Sequence, residues 1–268
     1  LVPLDGSGDS ETIVSCLKQP LRQTLLDATL FRVAAADNPS EAAEAKSYLE
    51  DVRRRLHSQR IDVFSALGLG RPAEEILLIA KARQQSLIAM TTHGRSVLPR
   101  ALLGSVAEEV LRQAHVPLLL TRPGDKGASW DHILVPLDGS PESELILPAA
   151  RRLASENHAL LHLLRVTLES DPVEYLAAHR ERLDADGFKA MPVLRHGHPG
   201  EEIVRYATQA GIGLICMMSH HKTGSARLLA GSVTEHTLRH ASCPLLVCPS
   251  EAAAGLRSAP WTEPGGGA

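Results

Sequence analysis

The chain repeats itself, and the repeat limits what it can fold into. Leu1-Val2-Pro3-Leu4-Asp5-Gly6-Ser7 returns as Leu134-Val135-Pro136-Leu137-Asp138-Gly139-Ser140, an offset of 133. Glu74-Glu75-Ile76 recurs as Glu201-Glu202-Ile203, and Gly104-Ser105-Val106 as Gly231-Ser232-Val233, both at an offset of 127. The second copy is therefore six residues shorter between its second strand and its third helix. The 268 residues are two copies of one domain of ordinary size, not one large domain.

Each copy alternates two kinds of segment. Apolar runs at 1–4, 29–33, 61–66, 86–91 and 117–120 read as strands, and 40–59, 73–82 and 105–114 carry helical periodicity. The second copy places its strands at 133–137, 159–166, 190–194, 214–218 and 244–247. The predicted fold class is α/β: two tandem doubly wound domains, each a five-stranded parallel sheet with helices on both faces. The expected boundaries are domain 1 at 1–124, a linker at 125–131, domain 2 at 132–250 and a disordered Ala/Gly/Pro-rich tail at 251–268. Copy two enters its first strand through Trp130-Asp131-His132-Ile133, whereas copy one starts at Leu1, so a clipped first strand is expected there.

Composition removes several function classes. No apolar run approaches the ~20 residues of a membrane span, so no membrane partner is expected. A net charge of −3 and 3% aromatics argue against a nucleic-acid partner, which needs a basic footprint or stacking platform. Cys16, Cys216, Cys243 and Cys248 form no C-x-x-C pair and read as small buried hydrophobes in a reducing compartment. No signal peptide is legible, and a cytoplasmic location is expected.

Doubly wound sheets bind ligands beyond the carboxyl ends of their strands. Asp5 and Asp138 end the first strand of each copy, where a carboxylate can accept hydrogen bonds from a ligand or close an Asx turn. After the fourth strand comes Thr91-Thr92-His93-Gly94, nine residues, then Gly104-Ser105. A glycine there lets backbone approach a ligand, and a helix opening at Ser105 offers free N–H groups to a phosphate. Ser105-x-x-Glu108 and Ser232-x-x-Glu235 are spaced as capping boxes, which accounts for Ser and Glu but not for Gly94. Arg95 and Arg100 lie in the intervening loop, as Lys222 and Arg227 do in copy two.

These segments together resemble the universal stress protein family in its tandem form, over nearly all of both copies. The most specific element is G-x-x-G-x9-G-S/T, associated with ATP-binding members. The resemblance implies an adenine-nucleotide alpha-hydrolase-like, three-layer α/β/α sandwich in each copy. It implies a nucleotide pocket at Pro3, Leu4, Asp5, Val33, Met90, Gly94, Gly104, Ser105 and Val106, with Asp138, Gly231 and Ser232 as the remnants in copy two. The ligand would be ATP, with or without Mg²⁺, or AMP, bound by a regulatory stress-response module. Thr91 stands at the first glycine position of copy one; in copy two Met218 and His221 replace both loop glycines. Copy one is expected to bind nucleotide better.

Three other readings are open. Asp5-Gly6-Ser7-Gly8-Asp9-Ser10 resembles the S-G-G-x-D-S loop of adenylating ATP-pyrophosphatases, but Asp138-Gly139-Ser140-Pro141-Glu142-Ser143 does not. His196, His198, His220 and His221 fall near strand ends and invite a metal reading, though on separate strands; none is expected. The final strands, 117–120 and 244–247, are apolar edges that suit an internal pseudo-dimer or a homodimer, in a regulatory protein that binds no nucleotide. No nucleophile–base–orienter set and no Walker lysine is legible, so an enzyme is not expected.

Overall fold

Strands that are apolar on both faces are stable only where helices cover both faces, and the chain meets that condition twice. The computed structural model describes residues 1–23, 28–84, 87–92, 103–123, 125, 129–168, 174–219 and 231–252. The chain divides into two compact units, 1–127 and 128–268.

Unit 1 runs β1 (Val2–Pro3), α1 (Thr12–Gln23), β2 (Thr29–Ala34), α2 (Pro39–His57), β3 (Phe64–Leu69), α3 (Pro72–Ala82), β4 (Ile88–Thr91), α4 (Ser105–Gln113) and β5 (Leu118–Thr121). β2 pairs in parallel with both β1 and β3, and β4 pairs in parallel with β5. Ala89 N donates to Leu1 O at 2.8 Å, which joins β1 to β4 and sets the order β3-β2-β1-β4-β5. The strand order reverses between β1 and β4, the place where such folds open a ligand crevice.

Unit 2 repeats the plan with β6 (His132–Pro136), α5 (Pro141–Glu144), α6 (Leu147–Asn157), β7 (Leu160–Thr167), α7 (Glu174–Ala185), β8 (Ala190–His196), α8 (Pro199–Gln209), β9 (Leu214–Ser219), α9 (Ser232–His240) and β10 (Leu245–Pro249). Its parallel order is β8-β7-β6-β9-β10. Both units are doubly wound α/β sheets.

Local chemistry explains the element bounds. α2 starts where the Asn38 side chain accepts from Glu41 N at 3.1 Å, with Pro39 in the first turn. It buries Ala45, Leu49, Val52 and Leu56, a stripe at helical spacing, and leaves Glu50–Arg53 and Asp51–Arg54 pairs outside. Each such leucine contributes roughly 1.5–3 kcal/mol, so a charge at Leu49 would undo the docking. Its counterpart α7 has 12 residues against 19, so much of the shortening in copy two falls in this helix. The first helix of copy two is broken into α5 and α6, because Pro148 brings a ring and no N–H to the position of Ser15.

The third strand of copy one departs from expectation. The apolar run suggested 61–66, but β3 spans Phe64–Leu69, while Ile61 and Val63 are buried ahead of it. As the outer strand of the unit, β3 has exposed positions and a glycine, so its periodicity is weaker than that of the turn before it. The four cysteines are buried and unbridged. Burial pushes the Cys16 and Cys248 thiols up to about 12. Ser250–Ala252 form a short 3₁₀ turn with Ala252 buried, and the rest of the tail lies outside the described residues.

Candidate ligand cleft

In both copies the first strand runs into the same turn. Asp5 Oδ1 accepts from Ser7 N at 2.8 Å and from Ser7 Oγ at 2.6 Å; Asp138 Oδ1 accepts from Ser140 N at 2.9 Å and Ser140 Oγ at 2.6 Å. The Asx turn is thus made in each unit, and it needs Gly6 (φ 85) and Gly139 (φ 84) between its ends. A second serine locks the loop: Ser10 Oγ donates to Ser7 O, and Ser143 Oγ to Ser140 O, both at 2.8 Å.

The next residue anchors the loop to the helical layer. Glu11 accepts from Tyr48 Oη at 3.0 Å and pairs with Arg55 at 2.5 Å, while Arg32 lies 5.1 Å from the Tyr48 ring. Burial, then the Glu11 carboxylate, raises the Tyr48 phenol above its usual range. Glu144, Tyr175 and Arg165 repeat this arrangement in unit 2, where Tyr175 Oη donates to Glu144 at 2.9 Å.

The start of α4 corrects the capping-box expectation. Gly104, extended at φ −64 and ψ 151, is the N-cap, and its carbonyl accepts from Glu108 N at 2.9 Å. Ser105 is then the first helical residue, one position too late to cap, and among the described residues no side chain caps the helix. α9 behaves identically: Gly231 is its uncapped N-cap, with Ser232 following and Glu235 N donating to Gly231 O. Gly104 N donates to Thr92 O at 2.7 Å, which ties the helix start to the end of β4.

These parts enclose a cleft of about 210 Å³ at the reversal of strand order in unit 1. Pro3, Leu4, Asp5, Val33, Met90, Gly104, Ser105 and Val106 all line it. Gly94, Arg95 and Arg100 lie outside the described residues, as do His220, His221, Lys222 and Arg227. Sequence reasoning missed Phe31, Ile76, Thr92 and Ser10, which also line the cleft. Phe31 was recoverable, since it shares a strand face with Val33; Ile76 arrives only because α3 crosses that face. One wall is apolar, from Phe31, Val33, Ile76 and Met90; the other presents the first turn of α4. Among the described lining residues Asp5 is the one charged side chain.

In unit 2, Asp138 and Ser232 are exposed and Gly231 is partly so. Met218 is buried, and Ser219 ends β9 with its Oγ buried and unbonded. Among the described residues no three His, Cys, Asp or Glu side chains come together to hold a metal.

A second polar cluster stands in unit 2, where unit 1 has Thr29 and Ile79 at the positions of His162 and Tyr206. His132 Nδ1 and His162 Nε2 are 2.9 Å apart, and His162 Nδ1 is 2.7 Å from Tyr206 Oη. Burial, then the neighbouring His132, lowers His162 from the ordinary 6.5 to about 4, so the ring is neutral at pH 7.

Comparison with known proteins agrees with this architecture. The universal stress protein family model matches residues 1–122 and 168–249. A universal stress protein of Mycolicibacterium smegmatis is 26% identical over 92% of this chain and 95% of its own length. One from Methanocaldococcus jannaschii, MJ0577, is 40% identical over 79 residues, 30% of this chain; the chain spans about half the length of that relative, 49%. A universal stress protein structure from Archaeoglobus fulgidus superposes with a TM-score of 0.81 at 23% identity, covering 93% of this chain and 97% of that one. Among the described residues no helix is long and apolar enough to cross a membrane. With the family model matched across both units, the chain belongs to the universal stress protein family.

Proposed function

We propose that the unit 1 cleft binds an adenine nucleotide and that the protein acts as a nucleotide-responsive regulatory module. The observation that carries this reading is the uncapped N-terminus of α4 facing an apolar wall across one cleft. Free N–H groups and the positive end of the helix dipole suit phosphate oxygens. Phe31, Val33, Ile76 and Met90 offer a base the apolar slot it needs, and Asp5 stands where a carboxylate can accept from ribose hydroxyls or a base amine.

With one carboxylate on the described lining, Mg²⁺ would enter on the phosphates of ATP rather than in a protein cage. Among the described lining residues Asp5 has no second ionisable group beside it to form an acid–base pair, which favours retention of nucleotide over turnover. In unit 2 the exposure of Asp138 favours weaker binding or none.

Isothermal titration with ATP and with AMP, together with mass spectrometry of nucleotide carried through purification, tests the reading. One site per chain, weakened in Asp5→Ala, is expected. No heat with either nucleotide and none carried through would overturn it. Equal sites in both units would overturn the assignment to unit 1.

A further inference from the structure

β3 is bonded to β2 on one side, and among the described residues no strand pairs its other side. Phe64 N donates to Ala28 O at 2.8 Å and Gly70 N to Ala34 O at 2.9 Å, so even-numbered positions spend their backbone groups on β2. Alternation leaves the N–H and C=O of Ser65, Leu67 and Leu69 on the open side. The strand exposes Phe64 (62%) and Leu69 (51%), and it carries no proline and no charge. The equivalent edge strand β8 carries Pro192, Arg195 and His196, the residues that discourage strand addition. The same position in the fold is guarded in one copy and bare in the other.

We propose that β3 is a homodimer edge: two copies of this chain pair antiparallel through Phe64–Leu69 across a two-fold axis at Leu67. The strand is complementary to itself. With the axis at Leu67, that residue faces its own copy and Ser65 faces Leu69, so all three outward positions exchange both backbone bonds. A one-residue slip would set outward groups against inward ones. The same register lays Phe64 opposite Gly70 and Ala66 opposite Gly68, so the aromatic ring meets positions with no side chain.

Charge selects a second copy over an unrelated extended peptide. Exposed Asp62 precedes the strand and exposed Arg71 follows it. Antiparallel pairing brings the entry of one strand to the exit of the other: with the axis at Leu67, Asp62 lies opposite Pro72 of the second copy, one residue from Arg71, at both ends of the pair. Their present partners, His57 and Glu74, are local and exposed, and exchanging them costs little.

Light scattering of the full chain during size exclusion should give twice its 28.8 kDa mass. Leu67→Lys, which sets two like charges face to face, should halve that mass, while Leu78→Lys on α3 should leave it unchanged; circular dichroism confirms that both fold. Asp62→Arg should weaken association about fivefold, and adding Arg71→Asp should restore it.

Cross-linking locates the interface. A hydrogen-bonded antiparallel pair has Cα atoms about 5.5 Å apart, within disulfide range. Mild oxidation should therefore link Leu67→Cys to its own copy and leave Leu78→Cys unlinked, since the four native cysteines are buried. A single-chain mass at every concentration overturns the proposal. So does a dimer that survives Leu67→Lys and does not cross-link through Leu67→Cys, which would put the association elsewhere.

Discussion

Gly104 and Thr92 are joined by a 2.7 Å backbone bond that brings the uncapped start of α4 to the end of β4. Gly104 already has the extended backbone of an N-cap, a conformation that aspartate also adopts. Gly104→Asp should cap the helix and stabilise unit 1 by a few tenths of a kcal/mol, or about 1–2 °C in Tm. The same carboxylate would occupy the anion end of the cleft, so ATP binding by calorimetry should vanish. A variant both more stable and unable to bind separates ligand use of that helix end from structural use. Retained affinity would place the phosphates elsewhere.

The Asp5 turn separates a structural role from a ligand role. Asn can accept the two bonds that Ser7 makes to Oδ1, whereas Ala cannot. Asp5→Asn should hold the denaturation midpoint of unit 1 within experimental scatter. Asp5→Ala should cost about 1–2 kcal/mol. Both should weaken nucleotide binding, Asn less than Ala.

Gly68 is a packing glycine. A Cβ built on it lies 2.7 Å from Phe31 Cζ, and Phe31 forms the apolar wall of the cleft. Gly68→Ala should destabilise unit 1 by about 1–3 kcal/mol and push the ring toward the cleft. Gly8, where an added Cβ would meet nothing within 4 Å, is the control: Gly8→Ala should stay within about 0.5 kcal/mol in urea denaturation.

His162 makes unit 2 sensitive to acid. Its value falls from 6.5 to about 4 on folding, so between those limits the unfolded chain binds more protons than the folded one. Stability therefore rises with pH across that window. It is fully present above about 6.5 and lost as the pH falls toward 4, about 3 kcal/mol in all. Urea midpoints of the wild type should drop between pH 7 and pH 5. In His162→Gln, which retains a partner for Tyr206, this part of the drop should disappear.

Fold class was legible because it follows from order along the chain. Apolar runs separated by helical stretches must lie parallel, and the repeat of Leu1–Ser7 at Leu134–Ser140 said that this happens twice. Failures came where a short-range signal competed with a neighbour. Ile61 and Val63 look like strand residues but fill the layer ahead of β3, whose own residues are exposed. Ser105 and Glu108 have capping-box spacing, yet Gly104 takes the cap because its amide is held by Thr92.

By itself, then, the sequence determined the duplicated α/β plan and the Asp5 and Asp138 turns. Those are properties of periodicity and of local hydrogen bonds, which act over a few residues. Only the tertiary structure decided that α4 begins uncapped, that Phe31 and Ile76 close the wall opposite it, and that β3 is a bare edge while β8 is guarded. Each of these depends on which segments meet after the chain has crossed over. Burial and pairing between residues far apart in sequence are set by that meeting, not by spacing along the chain.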